Sequence, residues 1–220
     1  MLMTEFTIDD RNRIRRKPDR GRFERDVIYP IIDEALICHV GFVEDGQPFV
    51  IPTLHARLDD SLILHGARAS RMLKHIQAGH PVCATFTLVD GLVLARSVFN
   101  HSMNYRSAVV FGRGRLIEAD DEKMHALEVL TEHIARGRWA EARKPTIKEM
   151  NATTVVGITI EQASAKMRTG PPGDDEADYA LPIWAGVLPL GEQAGAPLPD
   201  PRLREGIPVP DSVRGYSRTP

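Results

Sequence analysis

Short runs of apolar residues, alternating or unbroken, are separated by turn dipeptides along most of the chain, the pattern of antiparallel strands. Residues 36–43 (LICHVGFV) form the first run, and Asp45-Gly46 after it is a hairpin-turn pair. Residues 49–58 continue, and Asp59-Asp60 turns into 61–66. Runs 81–89 and 92–99 flank Asp90-Gly91, which reads as another tight turn, and 107–118 and 153–161 complete the set. A helical period appears twice. Ser70 can cap a helix that starts at Arg71 and stops at Gly79. Asp120 can cap a longer one, with Met124, Leu127, Leu130 and Ile134 on one face and Gly137 at its end. A third helix is predicted over 24–35, with Pro30 its awkward member. Closely spaced strands with helices outside predict a mostly β (α+β) fold, an antiparallel barrel or sandwich.

Charge and composition divide the chain into three. The 220 residues carry a net charge of only −2, which gives no global support for nucleic-acid binding. Residues 11–25 nevertheless hold eight basic and two acidic side chains. Residues 1–22 therefore read as a basic arm, either a solvated leader or a grip for phosphate. Residues 191–220 contain six prolines and four glycines, a tail expected to be disordered or to strap a neighbour. The globular domain is expected over 23–190. Cys38 and Cys83 lie in apolar runs, so no disulfide framework is expected. The absence of a secretory pattern and of a long apolar stretch points to a cytoplasmic protein without membrane contact.

Candidate chemistry concentrates where the strand 61–66 leads through Ala67-Arg68-Ala69 into the helix at Ser70. A helix start offers unpaired N–H groups to a phosphate, Ser70 adds a hydroxyl, and Arg68, Arg71 and Lys74 add charge. His65 ends that strand, either facing a ligand or bonded to backbone. A second polar cluster runs from Ala95-Arg96-Ser97 through 101–107 (HSMNYRS), where hydrogen-bonding side chains interrupt two apolar runs. Gly112 and Gly114 sit inside a strand run and mark a bulge or a close backbone approach. Asp174-Asp175-Glu176, after Gly170-Pro-Pro-Gly, reads as an exposed acidic loop. Neither the histidines nor the cysteines show a zinc spacing, so no metal site is expected.

These stretches are familiar together. The sequence resembles the pyridoxamine 5′-phosphate oxidase-like, FMN-binding split-barrel proteins, in particular the flavin-nucleotide-binding branch that includes the nitroimidazole-resistance proteins. The resemblance rests on IIDEALICHVGFVEDGQPFVIPTLHAR, LILHGARASRMLKHI, DGLVLARSVFNHSMNYRSAVVFGRG and SAKMRTGPPGDDEADYALPIWAGVLPL, roughly residues 24–190. It implies a six-stranded antiparallel split barrel with flanking helices, a homodimer, and FMN bound at the dimer interface. Ser70, Arg71 and Lys74 would hold the phosphate. Ile51, Pro52, Thr53, His65 and Gly66 would face the flavin ring, and Tyr105, Arg106 and Ser107 would approach it, from the same chain or from the partner. Trp184 would close the site or serve the fold alone.

That resemblance implies an FMN-dependent oxidoreductase acting on a small nitro- or carbonyl-type molecule. His65 would be its catalytic proton donor, and Arg106 would hold an anionic substrate. Two alternatives stay open: a haem-binding or haem-degrading split barrel with His101 or His65 as axial ligand, and a flavin-binding module without turnover. Vitamin B6 oxidation is not expected. The strand Ser61-Leu62-Ile63-Leu64 lacks the basic pair of the true oxidases, and the C-terminal segment lacks their arginine-rich clamp.

Overall fold

A computed structural model describes residues 4–217. In chain order its elements are β1 (Gly21–Arg22), α1 (Arg25–Glu34), β2 (Ile37–Glu44), β3 (Gln47–Leu54), β4 (Ala56–Leu58), β5 (Ser61–Ala67), α2 (Arg71–Gln77) and β6 (Pro81–Leu94). There follow β7 (Ser102–Leu116), α3 (Asp120–Ile134), α4 (Arg138–Glu141), α5 (Ile147–Ala152), β8 (Thr153–Arg168), β9 (Gly186–Pro189) and α6 (Asp211–Arg214). The sheet is antiparallel, in the order β3-β2-β6-β7-β8-β5-β4, with β1 added to β8 and β9 to β6. Six of its nine strands are long, the expected number, and the other three have two to four residues. β3 and β5 come into contact without a ladder between them, so the curved sheet stays open.

Alternation along the strands gives the sheet two apolar faces. Leu62 and Leu64 of β5, Val156 and Ile158 of β8, Val40 and Phe86 fill one interior, closed by Ile28, Ile31 and Ile32 of α1 and by Leu73 and Ile76 of α2. Ile63 and Val155, one residue out of phase, face the other way and pack with Ile117 under Ala126 and Leu130 of α3. α1 tolerates Pro30 because that residue lies on the exposed side while its neighbours Ile31 and Ile32 are buried.

Three expectations need correction. Asp90-Gly91 is not a turn: β6 is one strand through both, with a register shift between Val89 and Gly91 against β7. Gly91 is needed there because β9 crosses close by, and a Cβ would lie 3.0 Å from the Leu188 carbonyl oxygen. The run 49–58 is two strands, β3 and β4, broken at His55. Asp120 is the first residue of α3, and the capping position is Ala119. The reading of Gly112 matches the structure: β7 shifts register against β8 between Phe111 and Gly112, and the backbones nearly touch.

Both ends return to the domain. Phe6 is buried in the main core, and the buried Asn12 amide donates to Thr7 O, Gln162 Oε1 and Ala163 O. Arg11 pairs with Glu161, and Lys166 Nζ donates to the Arg16 carbonyl. Residues 191–209 are exposed, but Ser212 of α6 is buried and donates its N–H and its hydroxyl to the Glu141 carboxylate. Among the described residues no helix is long and apolar enough to cross a membrane.

Candidate functional site

The first group of candidate residues gathers around the end of β5. β3 ends the sheet, so Ile51, Pro52 and Thr53 lie on a strand with one open edge, opposite Val40, His39 and Cys38. Gly66 presses on α2, where an added Cβ would stand 3.1 Å from Leu73 Cδ1. His65 lies on the opposite side of β5 from Leu64 and Gly66, on the face that Ile63 presents to α3. It is half-buried, and its Nδ1 is buried without a hydrogen-bond partner. An unpartnered ring nitrogen in a partly dry place is an open position for a polar ligand edge.

Burial lowers the His65 pKa below its ordinary value of 6.5, so the ring is neutral near pH 7. The unfolded chain then binds a proton that the folded chain refuses, and stability falls as pH drops through about 6.5 toward the folded value. His65→Leu should flatten the difference in denaturation midpoint between pH 7 and pH 5. An unchanged difference would contradict the assignment of a depressed pKa.

The expected cluster of cations at the start of α2 is opened out. The Ser70 hydroxyl accepts from Leu73 N–H at 3.4 Å, as a cap. Arg71 pairs with Glu44 at 3.2 Å, and its guanidinium lies 4.5 Å from the Phe49 ring centroid. Arg68 turns away to the Asn151 carbonyl. Lys74 is exposed and lines a cleft of about 350 Å³ with Glu44, Asp45, His75 and His80. Ser70, Arg71 and Lys74 therefore share one corner with the tip of the β2–β3 hairpin.

Tyr105, Arg106 and Ser107 lie elsewhere in the chain. His65 is opposite Val155 and Tyr105 is opposite Arg168 on the same strand β8. These positions are about 40 Å apart along the strand. Ser107 donates its hydroxyl to the Lys166 carbonyl at 3.1 Å. The Arg106 fork is filled: Nη1 and Nη2 donate to Glu34, and Nε and Nη2 donate to Asp90, the bulge residue of β6. These two carboxylates raise the Arg106 pKa, and the fork they occupy is the one an anionic substrate would need. Arg106→Ala should leave Glu34 and Asp90 facing each other half-buried, at a cost of about 2 kcal/mol in urea denaturation. A loss under about 0.5 kcal/mol would show that the triad contributes nothing beyond an exposed pair.

A third group forms around the polar cluster. Asp174 belongs to a loop expected to be exposed, yet its side chain is 0% exposed. Its carboxylate accepts from Arg96 N–H at 3.0 and 3.1 Å, Ser97 N–H at 3.3 Å and Arg96 Nη1 at 3.0 Å. Burial alone would raise its pKa, but these donors outweigh it and hold the group below the usual carboxylate range. Sequence reasoning missed this role because the partners are far off in the chain. The Arg96 guanidinium also lies 4.8 Å from the Tyr179 ring centroid. In the turn that follows, the His101 Nδ1–H donates to the Ser97 carbonyl at 3.0 Å, since a carbonyl only accepts. Its Nε2 is left on an exposed ring. Val98 and Phe99 are 86% and 92% exposed. Met103, Leu92 and Leu188 stand directly opposite one another on β7, β6 and β9, all exposed, a cross-strand apolar row. Trp184, also exposed, lies over Gly186 at the start of β9. Among the described residues no group of three or more His, Cys, Asp or Glu side chains is placed to hold a metal ion.

Known proteins match this architecture. The flavocytochrome Anf3 from Azotobacter vinelandii is 38% identical, with a TM-score of 0.88 over 95% of this chain and 97% of that one. A FAD and heme binding protein from Mycobacterium smegmatis is 39% identical, with a TM-score of 0.85 over 89% of this chain and 96% of that one. A putative 5-nitroimidazole antibiotic resistance protein from Bacteroides thetaiotaomicron is 27% identical, with a TM-score of 0.56 over 66% of this chain and 85% of that one. Among curated proteins nothing matches. Residues 24–167 match the family profile described as Pyridoxamine 5′-phosphate oxidase, and with the open antiparallel sheet this places the chain in the pyridoxamine 5′-phosphate oxidase-like family.

Proposed function

We propose that the chain binds a flavin and a haem and passes electrons between them. The observation that carries this reading is the His101 turn. Its imidazole has Nδ1–H held by a backbone carbonyl and Nε2 exposed, the arrangement of a metal-ligating histidine. Beside it are the exposed apolar residues Val98, Phe99 and Met103 and the Leu92–Leu188 row, suited to the face of a porphyrin. His101, rather than His65, is the axial ligand in this reading. The descriptions of the two relatives near 40% identity, a flavocytochrome and a FAD and heme binding protein, support it.

A flavin fits the other corner, where the open Nδ1 of His65 and the free edge of β3 can meet its polar ring edge. Pro52, Thr53, His65 and Gly66 would line the ring. Ser70, Arg71 and Lys74 would hold the first phosphate, which FMN and FAD share. Such a pair of groups couples two-electron donors to one-electron acceptors. Tyr105, Ser107 and Trp184 would join the set from a second copy, because Tyr105 lies far from His65 along β8, whereas the Arg106 fork is already taken by Glu34 and Asp90. The working unit in this reading is a homodimer.

A second reading, an oxidoreductase acting on a small nitro or carbonyl compound beside the flavin, is favoured by the same open nitrogen. A His65 that is neutral near pH 7 would orient such a substrate by a hydrogen bond rather than protonate it. The test is anaerobic reduction of the purified protein by light with a sacrificial donor. If electrons pass, the Soret band shifts to its reduced position before or together with lasting bleaching of the flavin bands. Bleaching with a static Soret band, or with none, would leave the second reading.

A further inference from the structure

The Asp174 carboxylate, with no exposed side-chain surface, lies beside the His101 turn, and neither flavin nor haem binding uses it directly. It reaches across 77 and 78 residues of sequence to the stretch that carries His101. Resting on the haem reading, we propose that Asp174 is a positioning residue: it fixes the turn 96–101 so that His101 offers Nε2 to the iron in one orientation. The carboxylate, 0% exposed, takes the N–H groups of Arg96 and Ser97 and the Arg96 guanidinium. Ser97, so anchored, accepts through its carbonyl from Asn100 N–H and His101 Nδ1–H, both at 3.0 Å, and through its hydroxyl from Phe99 N–H at 3.3 Å. Phe99, Asn100 and the His101 ring are thus hung on Ser97, and Ser97 is hung on Asp174. The Arg96 guanidinium, held by the same carboxylate, reaches the Tyr179 ring and ties in the segment that leads to Trp184.

A carboxylate suits this place because it only accepts and all of its neighbours donate. Asp174→Asn keeps the shape but turns an NH₂ group toward one of those donors. The turn then loses its single arrangement while the core of the sheet is untouched.

The experiment titrates full-length apoprotein with hemin and, separately, with FAD and FMN, in parent, D174N and H101A. It reads the dissociation constants, the Soret maximum and the apoprotein melting temperature. D174N should weaken hemin binding about tenfold or more and shift the Soret maximum, the effect expected of a residue behind a ligand. Its flavin affinity should change far less than its hemin affinity, because Thr53, His65 and Ser70 stand on other elements. Hemin binding and a Soret maximum like the parent's in D174N would overturn the positioning role while H101A still abolishes the band. Loss of flavin and hemin together with a collapsed melting curve would overturn it in favour of a purely structural role. A parental Soret band in H101A would instead remove the ligand reading, and this proposal with it.

Discussion

His101→Ala removes the Soret band and leaves the flavin bands in place. The expected loss of hemin affinity is at least about 100-fold, because in the proposed reading the His101 imidazole would hold the iron and the exposed apolar residues beside it would add only unspecific contact. Flavin binding should change far less, since Thr53, His65 and Ser70 lie on β3, β5 and the start of α2, with no hydrogen bond to the His101 turn. Added imidazole should restore part of the band in the variant by filling the position left by the ring. His65→Ala is the control with the reverse expectation: the Soret band stays and flavin binding weakens. If the two variants exchange phenotypes, His65 is the ligand and the His101 patch is an ordinary protein interface.

Gly112→Ala abolishes folding or nearly so. An added Cβ would lie 1.9 Å from the Thr159 carbonyl oxygen and 3.1 Å from its carbon, both backbone atoms of the neighbouring strand. No rotamer relieves that overlap; β7 and β8 must separate at the place where their register already shifts. The cost is at least about 3 kcal/mol, a large share of the stability of a domain this size. Gly114→Ala is the milder comparison. Its nearest contact, at 2.2 Å, is the Cγ2 methyl of the buried Ile76, and its nearest backbone atom, the Gly157 carbonyl oxygen, stands at 3.0 Å rather than 1.9 Å. Denaturation midpoints of the two variants, measured side by side, check the ordering. A Gly112→Ala protein as stable as the parent would mean that the two strands are not packed as closely as described.

Much of this fold was legible because its signals are local. The alternation in 36–43 and 61–66, the Ser70 cap and the helical period from Met124 to Leu130 need only a few neighbouring residues, and the structure shows strands and helices there. What failed to show was non-local. Asp90-Gly91 carries the composition of a tight turn. Its glycine answers instead to Leu188 on β9, and its aspartate to Arg106 on β7. Asp174 sits in a Gly- and Pro-rich acidic run that has every mark of exposure, and its burial depends on Arg96. The candidate site divides the same way. Ser70 and His65 were found from strand-to-helix punctuation. The engagement of Arg71 by Glu44, and of Arg106 by Glu34 and Asp90, could be seen only once the chain had folded. The family was read from the HSMNYRS, KMRTGPPGDD and WAGV segments; the profile match over 24–167 agrees on the family and covers the first of them, while the other two lie mostly or wholly beyond it.

The most direct test is the absorption spectrum of the protein as isolated, followed by heat release and identification of whatever is freed. A two-band flavin spectrum together with a Soret band, with flavin and haem each recovered at about one per chain, is the result predicted here. Flavin bands alone, in a protein that also refuses added hemin, would contradict the two-cofactor account. A colourless protein that takes up neither group would contradict the flavin corner around His65 and Ser70 as well.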